Sequence, residues 1–277
     1  MAARAIWSGS INFGLVTIPV KLMTAVRGNE LSFNQLHDKD EGRIKYTRTC
    51  AECGEDVPWE HIVKGYEFEK GQYVLISDED LKSVAVEATQ SVDIQEFVEL
   101  SDINPMYFDK PYYLEPDKKG RHAYALLRDA LEESGKVGVA KVVLRQREHL
   151  AALKPNGDAL VLELMHWADE LVEESSLDLP ARGEKPKANE MKAAMMLIDA
   201  MAGKFDPEQF HDTYKEQVLA MIEARAAGQA APKSKAKARP ATNVVNILDV
   251  LERSLSDAKK KDGGAKGGSK RGKSTAA

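Results

Sequence analysis

The chain has 277 residues and a mass of 30.6 kDa, which allows one large domain or two smaller ones at roughly 150 residues per domain. It is 43% apolar and 30% charged, and no segment approaches the roughly 18 to 20 apolar residues of a membrane-spanning helix. The opening residues MAARAIWSGS lack the apolar region of a secretory signal, and there are only two cysteines. The sequence therefore predicts a soluble protein in the reducing cytoplasm.

The net charge of −5 conceals a separation of charge along the chain. From Gln229 onward there are 12 basic and 4 acidic residues, a net of +8, and the preceding 228 residues hold 27 basic and 40 acidic residues, a net of −13. A basic tail on an acidic body indicates contact with a polyanion such as nucleic acid. A solvated terminus that binds nothing specific is the alternative, and composition leaves both open.

The first 165 or so residues are rich in short segments of β-branched and aromatic residues that turn signals separate. The predicted strands cover residues 5–8, 15–26, 32–37, 43–49, 62–68, 72–76, 91–100 and 136–147, with a further hairpin around Pro155-Asn156-Gly157. Many short, closely spaced strands favour a barrel or sandwich over a parallel sheet. The sequence therefore predicts a mainly β fold of the α+β class.

Helices are predicted in four places. Ser77 opens a short capped helix, and residues 120–133 form a longer one that ends at Gly135. Two more helices follow residue 186, and the second begins at Asp206 and continues to Gly228. The first of these two has an apolar face made of Met191, Ala194, Met195, Ile198 and Met201. Together they are expected to form an arm that packs on the body of the chain or on a partner.

The C-terminal region divides into three parts. Residues 229–241 form a low-complexity linker, residues 242–258 carry an apolar stripe, and residues 259–277 form a Lys/Gly-rich tail. The stripe consists of Val244, Leu248, Leu251 and Leu255. A stripe isolated between disordered segments cannot bury itself, so it is expected to fold as a helix on a partner. Docking onto the chain's own body is the alternative.

One motif has metal-binding chemistry. Cys50 and Cys53 are separated by two residues, the spacing at which two thiolates across a tight turn share one zinc ion. The pair supplies only half of the ligands, and His37 and His61, or a second copy of the chain, are candidates for the other half. A hairpin tip without metal is the alternative interpretation.

No enzyme class is indicated. The six histidines have no metal-binding spacing, and no nucleophile and base are recognisable as a pair. The segment 267–274 matches a phosphate-binding loop literally, but it lies in a low-complexity tail without the strand and helix that such a loop requires. The sequence therefore predicts a protein without catalytic residues and without a firm cofactor.

Basic residues alternate with apolar ones in two predicted strands. Lys141, Arg145 and Arg147 are expected on one face, with Ala140, Val142 and Leu144 on the other. Arg43 and Lys45 alternate in the same way, and Arg48 follows closely. Such positions suit contacts with the phosphate backbone of DNA, although an ordinary solvated sheet face is the alternative.

Three long strings carry a resemblance to a known family. AIWSGSINFGLVTIPVKLMTAV, LSFNQLHDKDEGRIKYTRTCAECGEDVPWEHIVKGYEFEKGQYVLISDEDL and AYALLRDALEESGKVGVAKVVLRQREHLAAL resemble the prokaryotic Ku proteins of DNA end joining. The resemblance covers residues 3–261 in family order and spacing, and it is specific because the strings are long.

The resemblance implies a Ku-type antiparallel β-barrel with a ring-forming bridge insertion in residues 1–185, and a helical arm in residues 186–228. It implies a homodimeric ring that binds double-stranded DNA ends regardless of sequence, catalyses no reaction, and recruits and stimulates the ATP-dependent DNA ligase D. By similarity, residues 242–258 correspond to the ligase-recruiting segment and the Lys-rich extension to a tail that modulates DNA binding. The basic residues of that tail are Lys259, Lys260, Lys261, Lys266, Lys270, Arg271 and Lys273.

Two other functions stay open on the residues alone. One is a zinc- or thiol-dependent scaffold whose CxxC motif is the active feature and whose tail binds polyanions. The other is a DNA-dependent enzyme, which the lack of a recognisable catalytic constellation disfavours.

Overall fold

The computed structural model describes residues 5–84, 90–180 and 187–229, together with residues 254 and 256. The chain divides into two compact units, the first ending at Leu177 and the second beginning at Asp178. No helix in the described ranges is long and apolar enough to cross a membrane. The predicted ligase-binding residues (Val244, Leu248, Leu251 and Leu255) and the basic residues of the tail lie outside the described residues.

The described part of the chain contains nine strands and four α-helices, together with six short 3-10 helices. The strands are β1 (Ala5–Phe13), β2 (Val16–Thr24), β3 (Lys64–Glu69), β4 (Gln72–Ile76), β5 (Ser91–Glu99), β6 (Phe108–Pro116), β7 (Lys136–Leu144), β8 (Arg147–Asn156) and β9 (Ala159–Met165). The helices are α1 (Asp78–Ser83), α2 (Arg121–Ser134), α3 (Ala188–Met201) and α4 (Thr213–Ala226).

Seven of these strands close into a barrel in the order β1-β2-β6-β9-β8-β7-β5. The pairs are antiparallel except that β1 and β5 run parallel where the barrel closes. The predicted mainly β fold of the α+β class, with a barrel, is confirmed. Closure leaves the sheet without the exposed edges at which open sheets associate.

The core lies inside this barrel, because alternate residues of every strand point inward. Its largest fully buried side chains are Ile11, Ile18, Val20, Leu22, Val92, Val142, Leu153, Leu160 and Leu162. Burying each of these aliphatic side chains stabilises the fold by roughly 1.5 to 3 kcal/mol. A smaller cluster, formed by Ile103, Val137, Ala152 and Met165, packs outside the barrel core.

Helix α2 closes one end of the barrel. Tyr124, Leu127 and Leu131 belong to the core, and the Tyr124 hydroxyl donates to the Leu114 carbonyl at 2.7 Å and accepts the Leu160 N–H at 2.5 Å. Burial raises the pKa of this hydroxyl and keeps it protonated. Gly135, with a φ of 68°, ends the helix in the left-handed conformation as the sequence predicts.

Two predicted strands are wrong. Residues 32–37 and 43–49 form no strand, only isolated bridges between Leu36 and Arg43 and between Thr49 and Asp56. The residue types are typical of strands, but this part of the chain is exposed and finds no neighbouring strand to complete a sheet. Strand β6 was not predicted, because its sequence FDKPYYLEP contains two prolines and three charged residues.

Residues 25–90 form a long insertion between β2 and β5. It contains the helix α1 and the hairpin of β3 and β4, which among the described strands pair with each other alone. Ser77 caps α1 through a reciprocal box with Asp80, as the sequence predicts. Every residue of β3 is exposed. A two-stranded hairpin of this kind is marginally stable in water by itself.

The second unit contains α3 and α4. The predicted start of the last helix at Asp206 is wrong: Asp206 caps a single 3-10 turn, Pro207–Gln209. Helix α4 begins after Asp212, whose carboxylate accepts the Lys215 N–H at 3.0 Å. Both aspartates are real capping residues, and a sequence with two such signals six positions apart does not show which one opens the α-helix.

Candidate nucleic-acid interface

The barrel end opposite α2 is open and contains a cavity of about 380 Å³. Three cationic side chains and one histidine line it, Lys110, Arg145, Arg147 and His149, above a floor of Ile6, Trp7, Tyr112, Leu144 and Leu164. We call these nine residues the basic mouth. Arg147 and Lys110 are exposed and His149 is half-buried, so the charge lies within reach of a ligand in solvent.

Strand register directs these side chains into the mouth. In the antiparallel pair of β7 and β8, Leu144 lies opposite Arg147 and Val142 lies opposite His149. Residues directly opposite one another share a face of the sheet, and Val142 is buried in the barrel core. Arg147 and His149 therefore face the inside of the barrel at the point where its apolar filling ends.

Gly9 gives the floor of the mouth its shape. A Cβ atom on this residue would lie 2.3 Å from the Trp7 ring and 2.2 Å from the Gln90 carbonyl oxygen. Only glycine therefore lets the indole lie against the β1 backbone. It also allows Gln90 to approach closely enough to accept the Ser10 N–H at 2.9 Å.

A two-residue turn places Arg145 at the mouth. Strand β7 ends at Leu144, and Arg145 and Gln146 have φ values of 51° and 69°. Positive φ at both central residues matches the twist of a tight hairpin, where Asn and Gly are the usual residues. Arginine and glutamine carry a steric cost of about 1 to 2 kcal/mol each in this conformation.

The predicted continuous strand over residues 136–147, with Lys141, Arg145 and Arg147 on one face, is therefore wrong. The turn contains neither Gly nor Asn, so no local signal marks it. Arg147 belongs to the next strand and faces inward, as Leu144 does. Lys141 projects away from Val142, and its ammonium group lies 3.1 Å from the Glu148 carboxylate.

The predicted DNA-binding residues consequently lie in three places. Arg145 and Arg147 line the basic mouth, whereas Lys141 is on the outer face of the barrel, with its ammonium group 5.9 Å from the Trp167 ring centroid. Arg43, Lys45 and Arg48 lie in the insertion and are exposed. Lys110 and His149 complete the mouth and were missed, because β6 carried no strand signal and a single histidine carries no motif.

No carboxylate lines the basic mouth, and across the described ranges Lys110, Arg145 and Arg147 form no ion pair. The Glu170 carboxylate, which does not line the mouth, has a lowered pKa because it accepts hydrogen bonds first from the Trp167 N–H and then from His166. Unpaired cations around a concave surface concentrate positive potential there. The mouth is therefore suited to anions.

The insertion is joined to the barrel at this same open end. Strand β2 ends at Thr24, which lies opposite the mouth residue Tyr112. Strand β5 begins at Ser91, next to Val92, whose partner on β7 is Val142. Both connections of the insertion therefore leave from the rim of the basic mouth, and none leaves from the end that α2 closes.

The histidines proposed to complete a metal site do not do so within one chain. Across the ranges that the structure describes, no three His, Cys, Asp or Glu side chains form a group that could hold a metal ion. His37 instead has its Nδ1 atom 3.1 Å from the Asp40 carboxylate. Cys50 and Cys53 are both free thiols.

Comparison with known proteins gives the family. The family model described as "Ku70/Ku80 beta-barrel domain" matches residues 12–195, a range that includes most of the barrel. The chain belongs to this Ku family, and the resemblance predicted from the sequence strings is confirmed.

Three relatives show how far the similarity extends, and each is named "Non-homologous end joining protein Ku". The protein from Opitutus terrae is 48% identical over 276 residues, covering 98% of both chains. That from Anaeromyxobacter sp. (strain K) is 46% identical, covering 94% of this chain and 87% of the relative. That from Bacillus subtilis is 36% identical, covering 91% and 81%.

Proposed function

We propose that this protein binds the ends of double-stranded DNA in non-homologous end joining, as a homodimeric ring, and recruits and stimulates the ATP-dependent DNA ligase D. Family membership and the names of the relatives support the pathway. The observation that carries the mode of binding is the basic mouth with the insertion rooted at its rim. In this proposal the protein catalyses no reaction, requires no cofactor for DNA binding, and works in the cytoplasm on nucleoid DNA.

The chemistry of the mouth suits binding regardless of base sequence. Lysine and arginine side chains that reach phosphate oxygens position DNA without reading its sequence. The cavity is too small to admit a duplex, so a duplex would lie across the mouth with only backbone phosphates entering it. Affinity then comes from the release of counterions and falls steeply as salt rises.

The insertion is suited to close a ring over DNA that lies on the mouth. It extends from the rim, and its exposed surface includes Arg43, Lys45 and Arg48. The β3–β4 hairpin within it exposes large apolar side chains, namely Tyr66, Phe68, Tyr73, Val74 and Leu75. An exposed apolar surface on a marginal hairpin favours contact with another protein surface, and a second copy of the chain is the partner that the ring requires.

The remaining regions are assigned by similarity. The division of the chain into a core (1–185), an arm (186–228), a linker (229–241), a ligase-binding helix (242–258) and a basic tail (259–277) is part of the proposal. Helices α3 and α4 bury none of their described residues. Such a surface suits an arm that packs on the body of the chain or on the second copy of a dimer.

A comparison of linear and circular DNA tests end recognition. The full-length protein is mixed at physiological salt with a linear duplex and with a closed circle of identical sequence, and bound fractions are measured. We expect clear preference for the linear form, because a ring can be loaded only from an end. Blocking the ends after loading should retain the protein. Equal binding of the two forms would contradict the ring and leave a polyanion-binding tail as the explanation.

A further inference from the structure

The floor of the basic mouth is made of side chains that a phosphate group does not use. Of the nine lining residues, five are aliphatic or aromatic, namely Ile6, Trp7, Tyr112, Leu144 and Leu164. Pockets that bind small organic molecules have this composition, a mostly apolar and aromatic lining with a few polar or charged groups that orient the ligand. The mouth is therefore suited to a ligand that joins an anion to a flat apolar group.

Barrel closure sets the indole and the cations of β8 on opposite walls. Two strands separate β1 from β8 in one direction around the barrel, and three separate them in the other. Trp7 on β1 shares the inward face of its strand with Ile11, which is fully buried. It therefore lies across the opening from Arg147 and His149, and a ligand between the two walls would contact both.

The strand that carries Trp7 also positions its indole. The ring lies over Gly9, where a Cβ atom would be only 2.3 Å away, and the residue is half-buried. Lys110 lies beside a second ring of the floor, with its ammonium group 5.8 Å from the Tyr112 ring centroid. Aromatic surface and positive charge are thus adjacent, as a base and its phosphate are adjacent in a nucleotide.

The size of the cavity suits one nucleotide. Its volume is about 380 Å³, within the range of roughly 300 to 1,000 Å³ for pockets that enclose small molecules. The bases of a duplex cannot enter such a pocket while they are paired and stacked. An unpaired nucleotide at the end of a strand can enter, because no base pair has to be broken first.

We propose that the basic mouth binds one unpaired nucleotide at the end of a DNA strand, with the base on the aromatic floor and the phosphate at the cations of the rim. The inference rests on the binding of DNA ends in the proposed function, and it adds a site for the single-stranded overhang that a broken duplex can carry. Stacking on an aromatic ring and contacts with phosphate both tolerate any base, so the site suits ends of any sequence.

Removal of one base from the DNA tests the proposal. Fluorescence anisotropy with the full-length protein at physiological salt compares two duplexes that carry the same short overhang, one with an intact terminal nucleotide and one with a stable abasic analogue there. Both have the same phosphates, so the difference in affinity measures the base alone. We expect the intact overhang to bind roughly tenfold more tightly, as for one base stacked on an aromatic side chain. Equal affinities would overturn the proposal.

Replacement of the indole identifies the stacking surface. Trp7→Leu should remove most of the advantage of the intact overhang over the abasic one, because leucine offers no ring on which a base can stack. The matched control Trp167→Leu alters a half-buried tryptophan beside Lys141, outside the mouth, and should keep the whole advantage. An advantage retained by Trp7→Leu, or lost by Trp167→Leu, would overturn the assignment.

Tryptophan fluorescence covers the case in which Trp7→Leu does not fold. The chain has three tryptophans, and Trp59→Phe with Trp167→Phe leaves Trp7 as the only indole. The intact overhang should quench its emission more strongly than the abasic overhang does, because a stacked base contacts the ring directly. Equal quenching by the two duplexes would overturn the site.

Deoxyadenosine 5′-monophosphate distinguishes the two sources from which a nucleotide could come. In the protein whose only indole is Trp7, we expect this free nucleotide to quench only at a far higher concentration than the overhang, because the bound duplex raises the effective concentration of its own terminal nucleotide. Quenching by the free nucleotide but not by the overhang would indicate a site for a soluble nucleotide and would overturn the DNA source.

The comparison of linear and circular DNA separates this inference from the proposed function. Preference for the linear duplex together with equal binding of intact and abasic overhangs would overturn the nucleotide site alone. Preference for the intact overhang together with equal binding of linear and circular duplexes would support the nucleotide site and contradict the ring.

Discussion

The side chains around the cations of the basic mouth decide whether these cations can bind an anion. Basic residues are common on exposed strands, and Lys141 shows the ordinary case, since Glu148 neutralises it at 3.1 Å. Arg147 carries the same charge and directly follows the two-residue turn, but it faces the open barrel, where none of the described lining residues is a carboxylate. A side chain's face and its neighbours, and not its charge alone, decide whether it can hold a phosphate.

Charge reversal at two of these positions should weaken DNA binding. For Lys110→Glu with Arg147→Glu we expect lower affinity for every duplex sequence, and a decrease of about 2 in the slope of log affinity against log salt, because roughly two phosphate contacts are lost. Fluorescence anisotropy with labelled duplexes over a salt series measures both quantities.

A matched control carries the same charge change at the end of the barrel that α2 closes. Arg121→Glu with Lys136→Glu alters two exposed cations there, and its affinity and salt slope should stay close to those of the unaltered protein. If both double variants lose affinity equally, net charge rather than the basic mouth determines binding.

At the scale of elements, the hairpin of β7 and β8 has a strained backbone at its turn, and this turn places Arg145 at the cavity. Arg145 and Gln146 adopt positive φ without being Gly or Asn. Backbone strain of this kind tends to occur at functional sites. Here it accompanies the placement of Arg145 at the rim of the cavity, where an unstrained Asn-Gly turn would present no cation.

Relief of this strain should raise the free energy of unfolding, and DNA affinity should fall only when Arg145 is replaced as well. Gln146→Gly should raise the free energy of unfolding by about 0.5 to 1 kcal/mol, because the relief of steric cost exceeds the entropy that glycine adds to the unfolded chain. It should leave DNA affinity unchanged.

Arg145→Asn with Gln146→Gly should be at least as stable but bind DNA more weakly. Urea denaturation and anisotropy measure the two effects, and no gain in stability in either variant would show that the turn is not strained.

At the scale of the whole molecule, the proposed function assigns DNA binding to the barrel and its insertion and ligase binding to residues 242–258, so the two functions should be separable. Leu248→Asp with Leu251→Asp should leave binding of linear DNA intact and abolish stimulation of the ligase, because charge on the apolar stripe prevents docking. Ligation of a linear duplex by the ATP-dependent ligase, with and without the protein, measures the effect.

The control for that experiment adds the same two charges away from the stripe. Asn243→Asp with Asn246→Asp should stimulate the ligase as the unaltered protein does. Stimulation retained by the leucine variant would show that residues 242–258 are not the docking helix, and stimulation lost in both variants would point to charge alone.

The sequence by itself determined the features that depend on nearby residues. The helical spacing of the apolar residues and the glycine at position 135 predicted α2 correctly, and the capping residue Ser77 predicted α1. The long strings around Trp7, Cys50 and Tyr124 indicated the family. Local patterns succeed in these cases because capping, helical spacing and motif identity all act over a few positions.

Only the tertiary structure decided which residues share a site. The basic mouth draws on β1, β6, β7, β8 and β9, and no local pattern connects Trp7, Lys110 and Arg147, which barrel closure brings together. Residues 32–37 and 43–49 have the composition of strands but pair with no sheet, and Arg145 lies in a turn that no glycine marks. Strand pairing and register are set by contacts distant in the sequence, and these contacts decide which cations face the open end.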